Sequence, residues 1–172
     1  MLRSQLFPMP EYFDRYIYLC DDVELLDALR KSIEEVDQFP LETWKKIDSK
    51  TYAEGKWTIK EILQHLIDTE RIFGYRALAF ARNESQRLPS FSEDDYASAS
   101  LANDRTLESL IEELKTVHQG FLLMYQSFTS EMLEKKGIGF KGEYSVASIA
   151  FCMAGHQRWH IRVINEKYMN LV

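Results

Sequence analysis

The sequence has few of the features that mark a secreted, membrane-spanning or nucleic-acid-binding protein. Its 172 residues include only two cysteines, Cys20 and Cys152, so we expect free thiols rather than a disulfide framework. No run approaches the roughly 18 apolar residues of a membrane span, and the first ten residues have no apolar signal core. The net charge of −6 argues against binding to nucleic-acid phosphates. We therefore expect a cytoplasmic protein without a membrane or nucleic-acid partner.

Chain-breaking residues are also scarce. Seven glycines and four prolines lie mostly between periodic segments, and no stretch has the composition of a linker, a repeat or a low-complexity region. The length suits one hydrophobic core. We therefore predict a single domain over residues 1–172.

Apolar side chains recur at three- and four-residue steps in four segments, which indicates four amphipathic helices. The first runs from Val23 to Val36 and ends before Pro40. The other three are expected at 59–82, 105–128 and 145–168. Because each helix must bury its apolar stripe against the others, the pattern predicts an all-α fold, a four-helix bundle with long connections at 41–56, 84–103 and 129–144.

Two of the four histidines share one face of the last predicted helix. His156 and His160 are four residues apart, which places them about 40° apart on the helical wheel, within an apolar stripe. This spacing lets two imidazole nitrogens converge on one metal ion. The alternative is a pair of core histidines with local hydrogen bonds. A third ligand is not fixed by spacing, because His65 and His118 both lie near the edge of the apolar face of their own helix.

Two motifs resemble those of a known family. The segment from Lys56 to Glu70, KWTIKEILQHLIDTE, resembles the second-helix signature of the DinB/YfiT-like superfamily. The segment from Gly155 to His160, GHQRWH, resembles its final-helix signature. The order of the helices is similar as well, so the resemblance covers nearly the whole chain.

The resemblance implies a bundle in which three histidines bind a divalent metal, zinc or nickel. The positions that match the ligands of the family are His65, His156 and His160, whereas His118 matches none. The resemblance also implies a homodimer and, from several relatives, a thiol-dependent S-transferase or isomerase that uses a low-molecular-weight thiol. The loops at 84–103 and 129–144 match no specific transferase.

Three further side chains are candidates for the same site. Glu70 lies in the apolar stripe of its helix, where it is a candidate catalytic base or, alternatively, half of a buried pair with an Arg or Tyr. Arg76 lies on the same side as His65 and is a candidate for binding an acidic cofactor or substrate; a surface position is the alternative. Cys152, one turn before His156, is a candidate soft ligand or a small core residue.

These observations give three functional hypotheses. The first is a metal-dependent S-transferase, in which the metal lowers the pKa of a bound thiol that then attacks an electrophilic small-molecule substrate. The second is a metal-dependent hydrolase on the same site, in which the metal activates water. The third is a non-catalytic bundle that binds a ligand or a partner.

Overall fold

The computed structural model describes residues 1–172 and contains eight α-helices and one β-hairpin. The helices are, in chain order, α1 (Asp14–Ile17), α2 (Leu25–Val36), α3 (Leu41–Ile47), α4 (Ile59–Ala81), α5 (Glu93–Ala99), α6 (Leu107–Gln126), α7 (Ser130–Glu134) and α8 (Val146–Lys167). The hairpin consists of β1 (Lys136–Gly139) and β2 (Gly142–Ser145). No helix has both the length and the apolar character needed to cross a membrane.

The four long helices α2, α4, α6 and α8 correspond to the four predicted ones and form the bundle. Helix α4 packs against α6 and α8, and α2 packs against the same two helices. The short helix α1 lies on α8. The predicted all-α four-helix bundle is thus confirmed.

Local capping explains where the long helices begin. At the start of α4, the Thr58 hydroxyl accepts a hydrogen bond from the Glu61 amide, and the Glu61 carboxylate accepts one from the Thr58 amide. This reciprocal arrangement satisfies two backbone donors that the helix itself cannot pair. Thr106 and Ser145 cap α6 and α8 in the simpler one-way form.

The connections contain more structure than the sequence predicts. The segment 129–144 was expected to be a non-helical connection, but it contains α7 and most of the hairpin, in which Lys136 pairs with Ser145 and Gly139 with Gly142. The hairpin approaches α4 closely: a Cβ on Gly137 would lie 2.0 Å from the Phe80 ring. Gly137, which from the sequence alone would be treated only as a helix breaker, therefore allows the hairpin to pack closely against Phe80 of α4.

The apolar core falls into two clusters, one around Phe73 and Phe151 and the other around Leu63 and Leu110. Along α8, the last residue of the first cluster is Ala154, and the first buried residue of the second cluster is Ile164. The interval between them carries both histidines of the GHQRWH motif. Polar side chains of α4 face the same interval, so a buried polar layer crosses the bundle between two apolar clusters.

The packing of α1 on α8 gives a direct test of this architecture. A Cβ on Gly155 would lie 1.9 Å from the backbone oxygen of Tyr16, so Gly155→Ala must displace α1. We expect it to lower the free energy of unfolding by about 1–3 kcal/mol in urea titrations. Gly120→Ala is the matched control in α6, because nothing lies within 4 Å of its added Cβ. It should stabilise the helix by about 0.5–1 kcal/mol. Equal effects of the two variants would contradict the close α1–α8 contact.

Candidate metal centre

Three imidazoles from two helices meet in the buried polar layer. His65 comes from α4, and His156 and His160 come from successive turns of α8. The Nε2 atom of His156 lies 3.2 Å from Nε2 of His65 and 3.0 Å from Nε2 of His160. A potential ligand nitrogen from each of the three residues lies within 4.8 Å of the others. The i, i+4 pair and its third partner therefore converge on one point.

Burial keeps all three imidazoles in the neutral form that binds metals. Desolvation, assisted by the nearby His160, lowers the pKa of His65 to about 3. Desolvation alone lowers the pKa of His160 to about 4. The pKa of His156 is also well below its usual value, because it is buried and faces the other two rings. Each ring therefore carries a nitrogen lone pair at neutral pH.

The donor set fits a divalent metal. Nitrogen ligands in a tetrahedral arrangement at about 2.0–2.1 Å from zinc lie about 3.3 Å from one another. The two short Nε2 separations are close to this spacing. Three neutral nitrogens cannot all satisfy one another by hydrogen bonding, since each shared proton pairs only two of them. A cation would satisfy all three.

Neighbouring side chains orient the three rings. The Thr69 hydroxyl lies 3.4 Å from Nδ1 of His65, so a proton on Nδ1 leaves the Nε2 lone pair directed at the other imidazoles. The centroid of the Trp57 indole lies 4.8 Å from that of the His65 ring. The indole also stacks on the His160 ring, with 6.5 Å between the two centroids. Tyr16, from α1, meets the edge of His156. These aromatic contacts restrict both access and ring rotation.

The candidate centre opens onto two cavities. The first has a volume of about 190 Å³ and is lined by His156 and Thr69 together with aromatic side chains. The second, of about 240 Å³, is lined by His160 and Trp57. Asp94, in α5, lines both. A small molecule in the first cavity would lie beside His156, and one in the second would lie beside His160.

Comparison with known proteins places the chain in a family. The family model described as the DinB superfamily matches residues 23–164. The chain belongs to the DinB superfamily. This confirms the family indicated by the two motifs, and the match includes all three histidines of the cluster.

Two relatives are informative. Over 123 residues, the chain is 28% identical to a protein of Oceanobacillus iheyensis named "Putative metal-dependent hydrolase OB0413", and the match covers 71% of this chain and 70% of that one. The fold is also similar to that of YfiT from Bacillus subtilis, described as "a probable metal-dependent hydrolase with an unusual four-helix bundle topology". That match has a TM-score of 0.67 at 15% identity and covers 91% of this chain and 85% of YfiT.

The fourth histidine of this DinB-superfamily chain lies outside the cluster, in a buried pair with Glu70. Nδ1 of His118 contacts the Glu70 carboxylate, and Nε2 lies 2.6 Å from Oε1 of Gln157. The amide nitrogen of Gln157 donates to the Ser32 carbonyl, which leaves its oxygen facing His118. Both ring nitrogens of His118 therefore face acceptors, an arrangement that favours the protonated imidazolium. The predicted buried pair of Glu70 exists, but its partner is His118 rather than an Arg or Tyr.

The other two candidates are buried. Arg76 lines the first cavity and is only 1% exposed, so the alternative interpretation, a surface position, is wrong. Cys152 also lines this cavity, but it is not part of the group of converging ligands. Burial raises the pKa of Cys152, which keeps the thiol protonated and favours its interpretation as a small core residue.

Sequence reasoning missed two contributors to the centre. The Trp57 indole is tilted against the His65 ring and stacks on His160. Asp94, in the 84–103 connection, lines both cavities. The position of Trp57 just before the helix that carries His65 was the one local signal for its role.

Proposed function

We propose that this chain is an enzyme that acts on a small molecule with a divalent metal, zinc or nickel, held by His65, His156 and His160. The convergence of three neutral imidazoles at a point open to two cavities carries the proposal. Three protein ligands leave a position open, as in catalytic rather than structural zinc sites. The names given to the Oceanobacillus protein and to YfiT support a metal-dependent enzyme. When bound, the metal supplies Lewis-acid activation of a coordinated thiol or water.

The specific reaction we propose is transfer of a low-molecular-weight thiol to an electrophilic substrate. Glu70 is the only buried carboxylate, and it is already paired with Nδ1 of His118. Glu70 is therefore poorly placed to serve as the general base that hydrolysis requires. A thiol that binds as thiolate needs no such base for attack. The walls of the first cavity are largely aromatic and apolar, which suits an electrophile with an apolar body.

Hydrolysis is the second candidate, and the position of Asp94 favours it. Asp94 lines both cavities, beside His156 in one and His160 in the other. Its exposed carboxylate can accept a proton from a water molecule that enters either cavity. Both relatives are named as metal-dependent hydrolases.

Cobalt-substituted protein distinguishes the two reactions. Addition of L-cysteine should change the visible absorption spectrum if a thiol reaches the open position, whereas L-serine, its oxygen analogue, should not. An unchanged spectrum would contradict the S-transferase proposal. Metal-dependent hydrolysis of 4-nitrophenyl acetate, lowered about 100-fold or more by Asp94→Asn, would then support the hydrolase. Asp95→Asn is the matched control, because Asp95 is exposed in the same helix and lines neither cavity.

Metal occupancy without either response would leave the third hypothesis, a ligand-binding bundle. The homodimer and the cytoplasmic location remain predictions, which sedimentation and cell fractionation test directly.

A further inference from the structure

Arg76 is a buried cation without a counter-charge. Its side chain is 1% exposed, and no carboxylate lies within 4.0 Å of its guanidinium. Nη2 donates to the Pro89 carbonyl at 2.8 Å, and the group lies over the Phe73 ring. Nη1 is buried and has no hydrogen-bond partner. Buried guanidinium groups are normally paired with an anion, because removing the charge from water is costly.

A second buried donor without a partner lies near the first. The Tyr144 hydroxyl is buried and makes no hydrogen bond. Contacts with the Phe13, Phe73 and Phe80 rings hold it in place. Burial raises the pKa of Tyr144, and the positive charge of the neighbouring Arg76 opposes this increase. Arg76 lines the first cavity and Tyr144 does not, so the guanidinium is the donor that an acidic oxygen in that cavity can reach.

Arg76 lines the same cavity as His156 of the three-histidine centre. Thr69, beside His65, and Arg76 both line this cavity and are seven residues apart in α4, which is about 10 Å along the helix axis. A cavity of about 150 Å³ accommodates benzene. At about 190 Å³, this one has room for a single ring with a short acidic arm.

The remaining charges of the cavity limit the ligand to one acidic group. Glu93 and Asp94 line it as well, and their carboxylates repel any anion, so the cavity suits only a single acidic group that Arg76 holds directly. Tyr12 and Phe140 add aromatic surface that suits an apolar body.

We propose that Arg76 binds the carboxylate of a small monocarboxylic acid with an aromatic or apolar body, and that this contact directs the other end of the molecule toward His156 of the three-histidine centre. Arg76 is thus a substrate-binding residue that determines specificity. The inference gives a substrate class to the function proposed above and rests on it. Its test requires neither metal nor turnover, so the two proposals can fail separately.

Binding of 3-phenylpropionate tests the proposal, with 3-phenylpropionamide as the neutral analogue of equal size. We expect the acid to bind the full-length protein about 10- to 100-fold more tightly than the amide, as a hydrogen-bonded charge would give. Binding is measured by NMR of the ¹³C-labelled methionine methyl groups, in which the Met153 signal reports on the cavity that this residue lines. Equal affinities for acid and amide, or binding of the acid without a shift of the Met153 signal, would overturn the proposal.

Variants separate recognition from folding. Arg76→Met should remove the preference for the acid and leave the melting temperature unchanged or higher, because it removes an uncompensated buried charge. Tyr144→Phe should keep the preference for the acid, because Tyr144 does not line the cavity. Arg30→Met, at an exposed position of α2, is the matched control and should bind as the wild type does. An Arg76→Met protein that melts lower and keeps its preference for the acid would show that Arg76 is only structural.

Discussion

Replacing His156 with alanine is expected to abolish metal binding while the bundle remains folded. His156 is the central member of the cluster, since its Nε2 lies within 3.2 Å of the corresponding atom of both other imidazoles. Loss of a residue that merely supports a ligand costs about 10- to 100-fold in metal affinity, so loss of the central ligand should cost more than 100-fold. Untagged wild-type protein should contain near-stoichiometric zinc or nickel by mass spectrometry. His65→Ala and His160→Ala should lose metal as well.

Thermal unfolding provides a second measurement of the same site. Metal at about 1,000 times its dissociation constant should stabilise the wild type by about 4 kcal/mol, or about 8–16 °C in a protein of this size. The His156→Ala melting temperature should not respond to metal. A wild type that takes up neither zinc, nickel nor cobalt after reconstitution would show that the buried histidines are structural. A His156→Ala variant that binds metal as tightly as the wild type would exclude His156 as a ligand.

The sequence was sufficient to predict the part of the site that lies on one helix. The spacing of His156 and His160 fixes their relative direction, because a helix has a constant rotation per residue. The choice between His65, in α4, and His118, in α6, needed the family motif. The sequence does not show which of these two helices turns its histidine toward α8. Periodicity describes a residue relative to its own helix and not the rotation of that helix against another.

Arg76 and the hairpin show where local patterns give too little information. Arg76 lies on the cavity side of α4, but the carbonyl of Pro89 and the loop that carries it complete its burial. The path of this loop depends on long-range packing rather than on a local motif. The hairpin strands are four residues each and contain three glycines, so they lack the alternation that identifies strands. Both features became visible only in three dimensions.

Substitutions in the pair of Glu70 and His118 should lower the stability of the fold and leave metal binding unchanged, which is the opposite of what we expect for the metal cluster. Both side chains are about 95% buried, and they form an ion pair with each other and with no third residue. Removal of one partner leaves an uncompensated buried charge, so Glu70→Leu or His118→Leu alone should lower the free energy of unfolding by about 3–5 kcal/mol. Urea titration measures this loss. Metal content per folded molecule should remain that of the wild type, because neither residue belongs to the ligand cluster.

The double variant Glu70→Leu/His118→Leu is the decisive control. Replacing a whole buried ion pair with apolar side chains is often neutral or stabilising, so the double variant should recover most of the stability that either single variant loses. Recovery identifies the single-variant loss as that of an unpaired charge rather than of packing volume. Additive losses in the double variant would show that the two side chains contribute independently.

The pH dependence of stability tests the charge of His118 itself. Burial lowers its pKa, but Glu70 and Gln157 raise it by more, so the folded-state pKa lies above the ordinary value of 6.5. The folded protein then holds a proton that the unfolded chain releases above pH 6.5. The stabilisation is therefore complete below this pH and is lost as the pH rises through the folded-state pKa. The three cluster histidines are present in both the wild type and the double variant, so their contribution to the pH dependence cancels in the comparison. The wild type should therefore lose stability above pH 6.5 relative to the double variant, and parallel curves would exclude a protonated His118.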